Sequence, residues 1–500
     1  MKHLYLFTIS PVQSFIEQAR KTHDLYAGSQ ILSDLIRQAM KLVIEKSGKD
    51  NFIFPTYKQD SKPNRFITIV ESDDMQTFGN EIQTAVNDYF IDVLGQKVIE
   101  LNHSSIFQLE DFLKIYWVAE KYEEKGDYPN QIKQLERNLG AVKNIRHFKQ
   151  LGEKGRKCSM NGEYNVKFYR KTESETTKNT EVLGDKNKLF HSDAMVIDFQ
   201  EERQIQVSHL QPGEGLCAVS IMKRFFKAGE NFPSTANIAL EDTLQKVIKK
   251  DEKAKQLIDE FTSCLGKKNE KNGQLYFDEN LTSEYFKKQG ISQGALDCAN
   301  KKLNKLVPII KRENLKLSKY YAILAFDADG MGKKLEKCKG AEEHTRVSKL
   351  LADFAKFASN YINEDEKSRG KTVYAGGDDF LGFINLNHLF DVMKHLRNEF
   401  DIQVNNHLRE DLKMTFSAGV AIAHYKTPLS EVLKWSRQME KTAKKVLHKT
   451  DDSIKKDAFS VAVLKRSGEI HYTTWRWKTF EDKWTINLFQ DLNYTWESFN

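Results

Sequence analysis

Five hundred residues, 58.0 kDa, are more than one hydrophobic core normally organises and point to about three domains. Apolar residues at 40%, charged residues at 29% and a mean hydropathy of -0.60 exclude both a membrane-embedded and a disordered chain, and Pro 8 with Gly 26 excludes collagen-like or Pro-rich architectures. Lys+Arg 77 against Asp+Glu 70 leaves +7, an excess that supports nucleic-acid binding only where it is clustered.

The most apolar runs, such as Tyr320 to Phe326, have the length of a strand and fall short of the roughly eighteen residues that span a bilayer. Met1 to Phe7 has too short an apolar core for a secretory signal, so the expected place is the cytoplasm, away from membranes. Cys158, Cys217, Cys264, Cys298 and Cys338 are an odd, scattered set, which argues against a disulfide framework and for a reducing compartment.

Residues 1–127 read as βαββαβ. His3 to Ile9 is strand-like, Pro11 can open a helix with Ser10 as N-cap, and Ser29 to Val43 places Ile31, Leu32, Leu35 and Ile36 at helical spacing. Phe52 to Phe54 and Phe66 to Val70 are short strands, Asp73 to Leu94 a long amphipathic helix, and Phe112 to Tyr122 a closing strand. Residues 128–318 are rich in Lys, Asn, Glu and Gln, with helical stretches at 132–148, 236–261 and 295–310 and polar loops at 171–189 and 266–274. The βαββαβ order recurs over 319–460: a strand ending at Asp327, a helix through Phe357, strands Thr372 to Ala375 and Phe380 to Ile384, a helix from Leu389, a strand from Met414 to Ala423, and a helix from Pro428 to about Leu447. Residues 461–500, with Trp475, Trp477, Trp484 and Trp496, read as the start of a C-terminal region. The fold class is α+β: two ferredoxin-like palm domains with a mainly helical middle domain.

The sharpest local signal is Tyr374-Ala375-Gly376-Gly377-Asp378-Asp379-Phe380. Gly376 and Gly377 permit a tight hairpin, and adjacent carboxylates at its tip repel unless a cation joins them. In a ferredoxin-like sheet Asp327, at the end of the first strand, approaches this hairpin. Asp327, Asp378 and Asp379 then suit Mg²⁺ or Mn²⁺ in a two-metal phosphoryl-transfer arrangement. An acidic solvated turn is the bland alternative; the strand-end Asp327 outweighs it. Asp327-Ala328-Asp329-Gly330-Met331-Gly332-Lys333 follows, and backbone N–H groups near Gly330 and Gly332 can cradle a triphosphate, although the Gly-x4-Gly-Lys-Ser/Thr spacing of a Walker loop is absent.

Together these residues resemble a known family. Tyr374 to Phe380 looks like the signature of the nucleotidyl cyclase/polymerase palm. Phe7 to Ile16, Ala19 to Thr22, Asp24 to Ser29 and Ser417 to Leu429 resemble the large signalling subunit of type III-B (Cmr) CRISPR–Cas effector complexes, and the likeness runs through nearly the whole chain. The resemblance implies a subunit that works with crRNA, target RNA and other Cmr-type subunits, and converts ATP into a cyclic oligoadenylate second messenger when target RNA binds. It implies Asp327, Asp378 and Asp379 as metal and catalytic carboxylates. Ala328, Asp329, Gly330, Gly332 and Lys333 would form the phosphate loop beside Gly376 and Gly377, with Lys444 or Lys445 as a triphosphate lysine. Ser14, Arg20 and Ser29 lie in the motif that faces a second nucleotide.

Four features depart from the family. Its members often begin with an HD nuclease domain, whereas here the palm starts at residue 3, so DNA cleavage by this chain is not expected. Paired CxxC motifs are reduced to Cys158-Ser159-Met160-Asn161 and Cys217-Ala218-Val219-Ser220, so zinc is not expected. The family usually ends in a helical domain, of which only the start is expected here. Ser10 stands where Asp327 would be, which gives one metal site per chain with the first palm as the acceptor side; joining ATP to S-adenosylmethionine is the alternative chemistry, and a non-catalytic RNA-binding scaffold the alternative of another class. Basic runs at Lys301, Lys302, Lys305, Lys311, Arg312, Lys316 and Lys319, and at Lys143, Arg146, His147, Lys149, Lys154, Arg156 and Lys157, could track RNA phosphates or be solvated faces.

Overall fold

The computed structural model describes residues 1–145, 152–153, 155–177, 193–198, 209–227, 232–267, 269–377, 379–446, 456–479 and 481–488. They form two compact units: Met1–Asn231 with Gly332–Asp353 and Glu410–Leu412, and Phe232–Met331 with Phe354–Arg409 and Lys413–Asn500. Both mix sheet and helix, as the α+β class requires.

The first unit is built on strands β1 (Lys2–Ser10), β2 (Phe52–Phe54), β3 (Arg65–Glu71) and β4 (Lys114–Lys121), in the order β2-β3-β1-β4. β1 is central and pairs antiparallel with both β3 and β4. Its run Leu4, Tyr5, Leu6 and Phe7 is fully buried, as befits a strand covered on both faces. Helix Thr22–Ser47 buries Ile31, Leu32, Leu35, Ile36, Ala39 and Met40, the spacing that marked it in the sequence. It starts seven residues earlier than expected because the Asp24 carboxylate accepts the backbone N–H of Lys21, a cap that the apolar period does not reveal. Ser10 is not an N-cap: it still belongs to β1, opposite Lys114, and the short helix Gln13–Glu17 begins after Val12.

The region 128–318 divides between the units instead of forming one helical domain. Up to Asn231 it belongs to the first unit and adds a small sheet of β5 (Phe168–Arg170), β6 (Met195–Ile197) and β7 (Gly215–Leu216), in the order β6-β5-β7, followed by helix Ala218–Phe225. Strands of two or three residues are too short to show a period. The expected loop at 171–189 lies outside the described residues from 178 on, and begins with helix Glu173–Thr177. From Phe232 the chain joins the second unit as helices, with Leu240, Val247, Phe261, Leu275, Leu303 and Leu306 in one core. Here Cys264 and Cys298 are bonded, Cα atoms 5.9 Å apart, a bridge that the odd, scattered set of cysteines argued against. Helices Glu252–Leu265 and Gln293–Arg312 bring together residues 34 positions apart, a pairing that spacing alone cannot specify.

The second unit carries β8 (Tyr320–Ala328), β9 (Gly370–Gly376), β10 (Asp379–Asn385), β11 (Phe416–His424), β12 (Ala458–Leu464) and β13 (Ile470–Arg476), in the order β13-β12-β11-β8-β10-β9. β8 lies between β10 and β11, antiparallel to both. The boundary expected at 460 is not structural: β12 runs parallel to β11 and β13 completes the same sheet. Trp477, 1% exposed, donates its indole N–H to the Phe416 carbonyl at 2.8 Å and so belongs to this core, whereas Trp475 is exposed and Trp496 lies outside the described residues.

Helix Leu429–Ala443 lies on β11 at backbone contact. A Cβ placed on Gly419 would come within 2.1 Å of the Glu440 nitrogen and 2.2 Å of the Ser436 carbonyl oxygen, so only glycine allows this approach. Gly419→Ala is expected to cost about 1–3 kcal/mol of stability by overpacking and to shift the helix that carries Arg437, Glu440 and Lys444. Urea denaturation of the full chain measures the first effect; an unchanged midpoint would show that the helix can withdraw freely.

Candidate active site

β8 is apolar up to Phe326 and then presents Asp327; β10 opens with Asp379, and the two residues face each other in register across antiparallel strands. Like charges placed directly opposite on neighbouring strands destabilise a sheet unless something neutralises them. Gly376 pairs opposite Asp379, and Gly377 takes φ +69°, the left-handed conformation that a hairpin link this short demands. Asp378, its neighbour, lies outside the described residues.

The neutralising charges come from the helix over β11. Arg437, Glu440 and Lys444 are spaced three and four apart and share one helical face. The Lys444 ammonium bonds the Asp327 carboxylate and, at 2.8 Å, Glu440. Arg437 pairs with Asp379 at 3.3 Å and with Glu440 at 2.8 Å, and also donates to the Tyr374 hydroxyl. That hydroxyl in turn donates to Asp379 at 2.8 Å. The result is a closed ring of acids and bases around the end of β8.

Burial pushes the Asp327 carboxyl up to about 6, a rise that the Lys444 ammonium opposes and the Asp379 charge assists. Glu440 feels burial in the same direction, but Arg437 and Lys444 outweigh it and hold the carboxyl below its usual range. Burial works against Lys444, yet Asp327 and Glu440 keep it firmly protonated. Burial, with the adjacent Asp379 charge, raises the Tyr374 hydroxyl and keeps it a donor.

Of the expected site residues, Asp327, Asp379 and Lys444 converge, with Gly376 and Gly377 shaping the hairpin. Lys445 is exposed and makes no such contact among the described residues. Ala328 is buried at the end of β8. Asp329 turns away from the pair: its carboxylate accepts from the Thr415 hydroxyl at 2.8 Å, the Ser417 hydroxyl at 2.9 Å and the Asp457 N–H at 3.2 Å. It therefore clamps β8 to β11 and to the chain entering β12, a structural task in place of the phosphate-loop role expected for it. Gly330 takes φ +72°, and Gly332 and the exposed Lys333 lie on the short helix Met331–Leu335. In the first unit Ser14 and Arg20 are exposed, while Ser29 is buried inside helix Thr22–Ser47.

Sequence reasoning missed Tyr374, Arg437 and Glu440. Tyr374 stood in the quoted hairpin motif, and the Arg-x-x-Glu-x-x-x-Lys spacing after β11 was a legible signal, but only the packing of that helix on β11 gives it meaning. Among the described residues no group of three or more His, Cys, Asp or Glu forms a metal-binding cluster. Asp327 and Asp379 nevertheless fit a divalent cation: side chains 26% and 34% exposed, with one carboxylate now neutralised by an ammonium and the other by a guanidinium. Mg²⁺ commonly takes one or two carboxylates and completes its shell with water and phosphate.

Cys158 and Cys217, with the residues three positions on from each, do come together. The Ser220 hydroxyl lies 3.3 Å from Cys158 Sγ and 3.2 Å from Cys217 Sγ, and Asn161 donates to Cys217 Sγ at 3.3 Å. Hydrogen bonds thus join the positions where a ribbon would have its sulfurs. Of the other nitrogen donors weighed, His147 lies outside the described residues, and burial lowers His209 to about 4.

The basic runs are partly committed. Lys302 pairs with Glu260, Arg312 with Asp251 at 2.5 Å and Lys319 with Glu279 at 2.6 Å. Lys157 bonds the Glu163 carbonyl at 3.0 Å, and Arg146, His147, Lys149 and Lys154 lie outside the described residues. Among the described residues no helix is long and apolar enough to cross a membrane.

Two βαββαβ sheets, one with paired carboxylates on its central strand and adjoining hairpin, define an α+β protein with two palm-like sheets. Residues 4–101 match the family described as CRISPR-associated protein Cmr2, N-terminal, and residues 320–454 match Cas10/Cmr2, second palm domain. Two segments of the chain are thus similar to domains of the Cas10/Cmr2 proteins of CRISPR systems. The chain is 24% identical to the CRISPR system Cmr subunit Cmr2 of Pyrococcus furiosus over 94% of this chain, and spans 62% of that protein's length. Its fold is similar to that of a chain in the type III-B Cmr-beta apo structure (TM-score 0.68, 16% identity, 95% of this chain and 70% of that one). It is also similar to a chain in Cmr-beta bound to cognate target RNA (TM-score 0.60, 15% identity, 92% and 70%).

Two thiols, an amide and a hydroxyl make a poor structural zinc site. Elemental analysis of the purified chain is expected to find no stoichiometric zinc; one zinc per chain that is lost in Cys217→Ser would overturn this.

Proposed function

We propose that the chain is the nucleotidyl-transferring subunit of an RNA-guided antiviral complex, and that its second palm uses ATP to build a cyclic oligoadenylate messenger. The observation that carries this reading is the in-register pair Asp327 and Asp379, ringed by Lys444, Arg437, Glu440 and Tyr374. A scaffold gains nothing from opposing carboxylates and from the burial of four further polar groups to hold them. The match of two segments to Cmr2 domain models and the likeness to a chain of a Cmr complex bound to target RNA support crRNA, target RNA and other Cmr-type subunits as partners.

In this reading Asp327 and Asp379, with Asp378, hold Mg²⁺ or Mn²⁺, which when bound polarises the α-phosphate and steadies the departing pyrophosphate. Tyr374 and Arg437 fix the Asp379 carboxylate, one through each of its oxygens. Lys444 neutralises Asp327 and would be the lysine nearest the carboxylates to meet a triphosphate. Lys333, with Gly330 and Gly332, contributes to phosphate binding, and Ser14 and Arg20 belong to the acceptor nucleotide. An attacking ribose hydroxyl then needs only in-line placement.

The assembled complex, given labelled ATP, Mg²⁺ and target RNA, is expected to release pyrophosphate and oligoadenylates resolvable by mass. Asp379→Ala is expected to lower the rate at least 100-fold, roughly the loss of one transition-state contact, with assembly intact. ATP left unconsumed by the wild-type complex with either metal would leave the scaffold reading standing.

A further inference from the structure

The first unit concentrates buried charge beneath one short segment. Helix Ala218–Phe225 ends in Lys223 and Arg224, 1% and 2% exposed. The Lys223 ammonium donates to the carbonyls of Phe15 at 2.6 Å and Gln18 at 2.8 Å, and sits 4.7 Å from the Phe15 ring centroid. The Arg224 guanidinium pairs with the fully buried Asp24 and, at 3.0 Å, with Glu214. Asp24 accepts the backbone N–H groups of Arg20 at 3.0 Å and Lys21 at 2.9 Å, and Glu214 lies 3.5 Å from the Arg20 guanidinium.

Gly28 makes room for this arrangement. A Cβ there would lie 3.0 Å from Lys223 Cε and 3.3 Å from its Nζ. Apolar side chains of similar size would fill such a space at lower cost in desolvation. What the ions add is direction: Lys223 bonds the carbonyls of Phe15 and Gln18, and Arg224 holds Asp24 while it is itself anchored by Glu214 and the His209 carbonyl. Residues 18–20 there have no helix or strand of their own and end at the exposed Arg20.

We propose that Lys223 is a positioning residue, which with Arg224 holds residues 14–21 in one conformation so that Ser14 and Arg20 present a preformed surface to the phosphates and ribose of an acceptor nucleotide. This rests on the nucleotidyl-transfer reading above. Burial lowers Lys223 to about 8, so the ammonium is the major form at neutral pH and the grip on the two carbonyls is charge-assisted.

Lys223→Met keeps the apolar stem and removes the charge; Gly28→Ala, a milder change, crowds the ammonium from the other side. In the isolated full-length chain, amide hydrogen exchange at residues 14–24 is expected to quicken about tenfold in Lys223→Met, with β1 and β3 unchanged. In the assembled complex both variants are expected to raise KM for ATP about fivefold or more while kcat stays within about twofold. A purely structural role would instead lower the melting temperature, quicken exchange across β1 and β3 and leave KM unchanged; that pattern, or unaltered exchange at 14–24, overturns the proposal. A wild-type complex that consumes no ATP overturns the reading of function and with it the nucleotide half of this proposal, while the exchange measurement still decides whether Lys223 holds the segment.

Discussion

The second palm depends on how two carboxylates are made to face each other. Asp327 and Asp379 stand in register on neighbouring antiparallel strands, an arrangement that a sheet does not tolerate unaided. Lys444 and Arg437 supply the compensation from a single helical face, and Glu440 between them keeps both cations in place. Removing any one member leaves another charge half-buried and unbalanced, which ties site and fold together.

That compensation requires the helix to lie close on β11, and the close approach requires a residue without a side chain at 419. Asp329 performs a related service on the far side of the turn. By accepting from Thr415, Ser417 and the Asp457 backbone it fixes the end of β8 against β11 and the start of β12, so the strand that presents Asp327 cannot slide. A carboxylate can thus sit within two residues of the paired acids and still work for the scaffold. The first unit uses buried charge in a comparable manner, with Lys223 and Arg224 bracing a segment instead of a sheet.

Much of the fold was legible because it is periodic. Strands β1, β8 and β11 are apolar runs of strand length, the helices Thr22–Ser47 and Leu429–Ala443 bury residues at three- and four-residue spacing, and the glycine-flanked acids announced a hairpin. Elements without period were misjudged. The two- and three-residue strands β5, β6 and β7 left no trace, and β12 and β13 were assigned to a separate tail although they complete the palm sheet.

By itself the sequence determined the facing carboxylates, their place at a strand end and a hairpin, and the βαββαβ order of both sheets, because each of these is carried by neighbours along the chain. Only the tertiary structure decided that Lys444 and not Lys445 meets Asp327, that Asp329 is a clamp, that Tyr374, Arg437 and Glu440 complete the ring, and that Cys264 bonds Cys298. Those contacts join residues from 3 to 128 positions apart. Even the nearest of them takes its meaning from what the helix packs against, and for the distant ones direction and distance are set by strand register and helix docking, which no local spacing encodes.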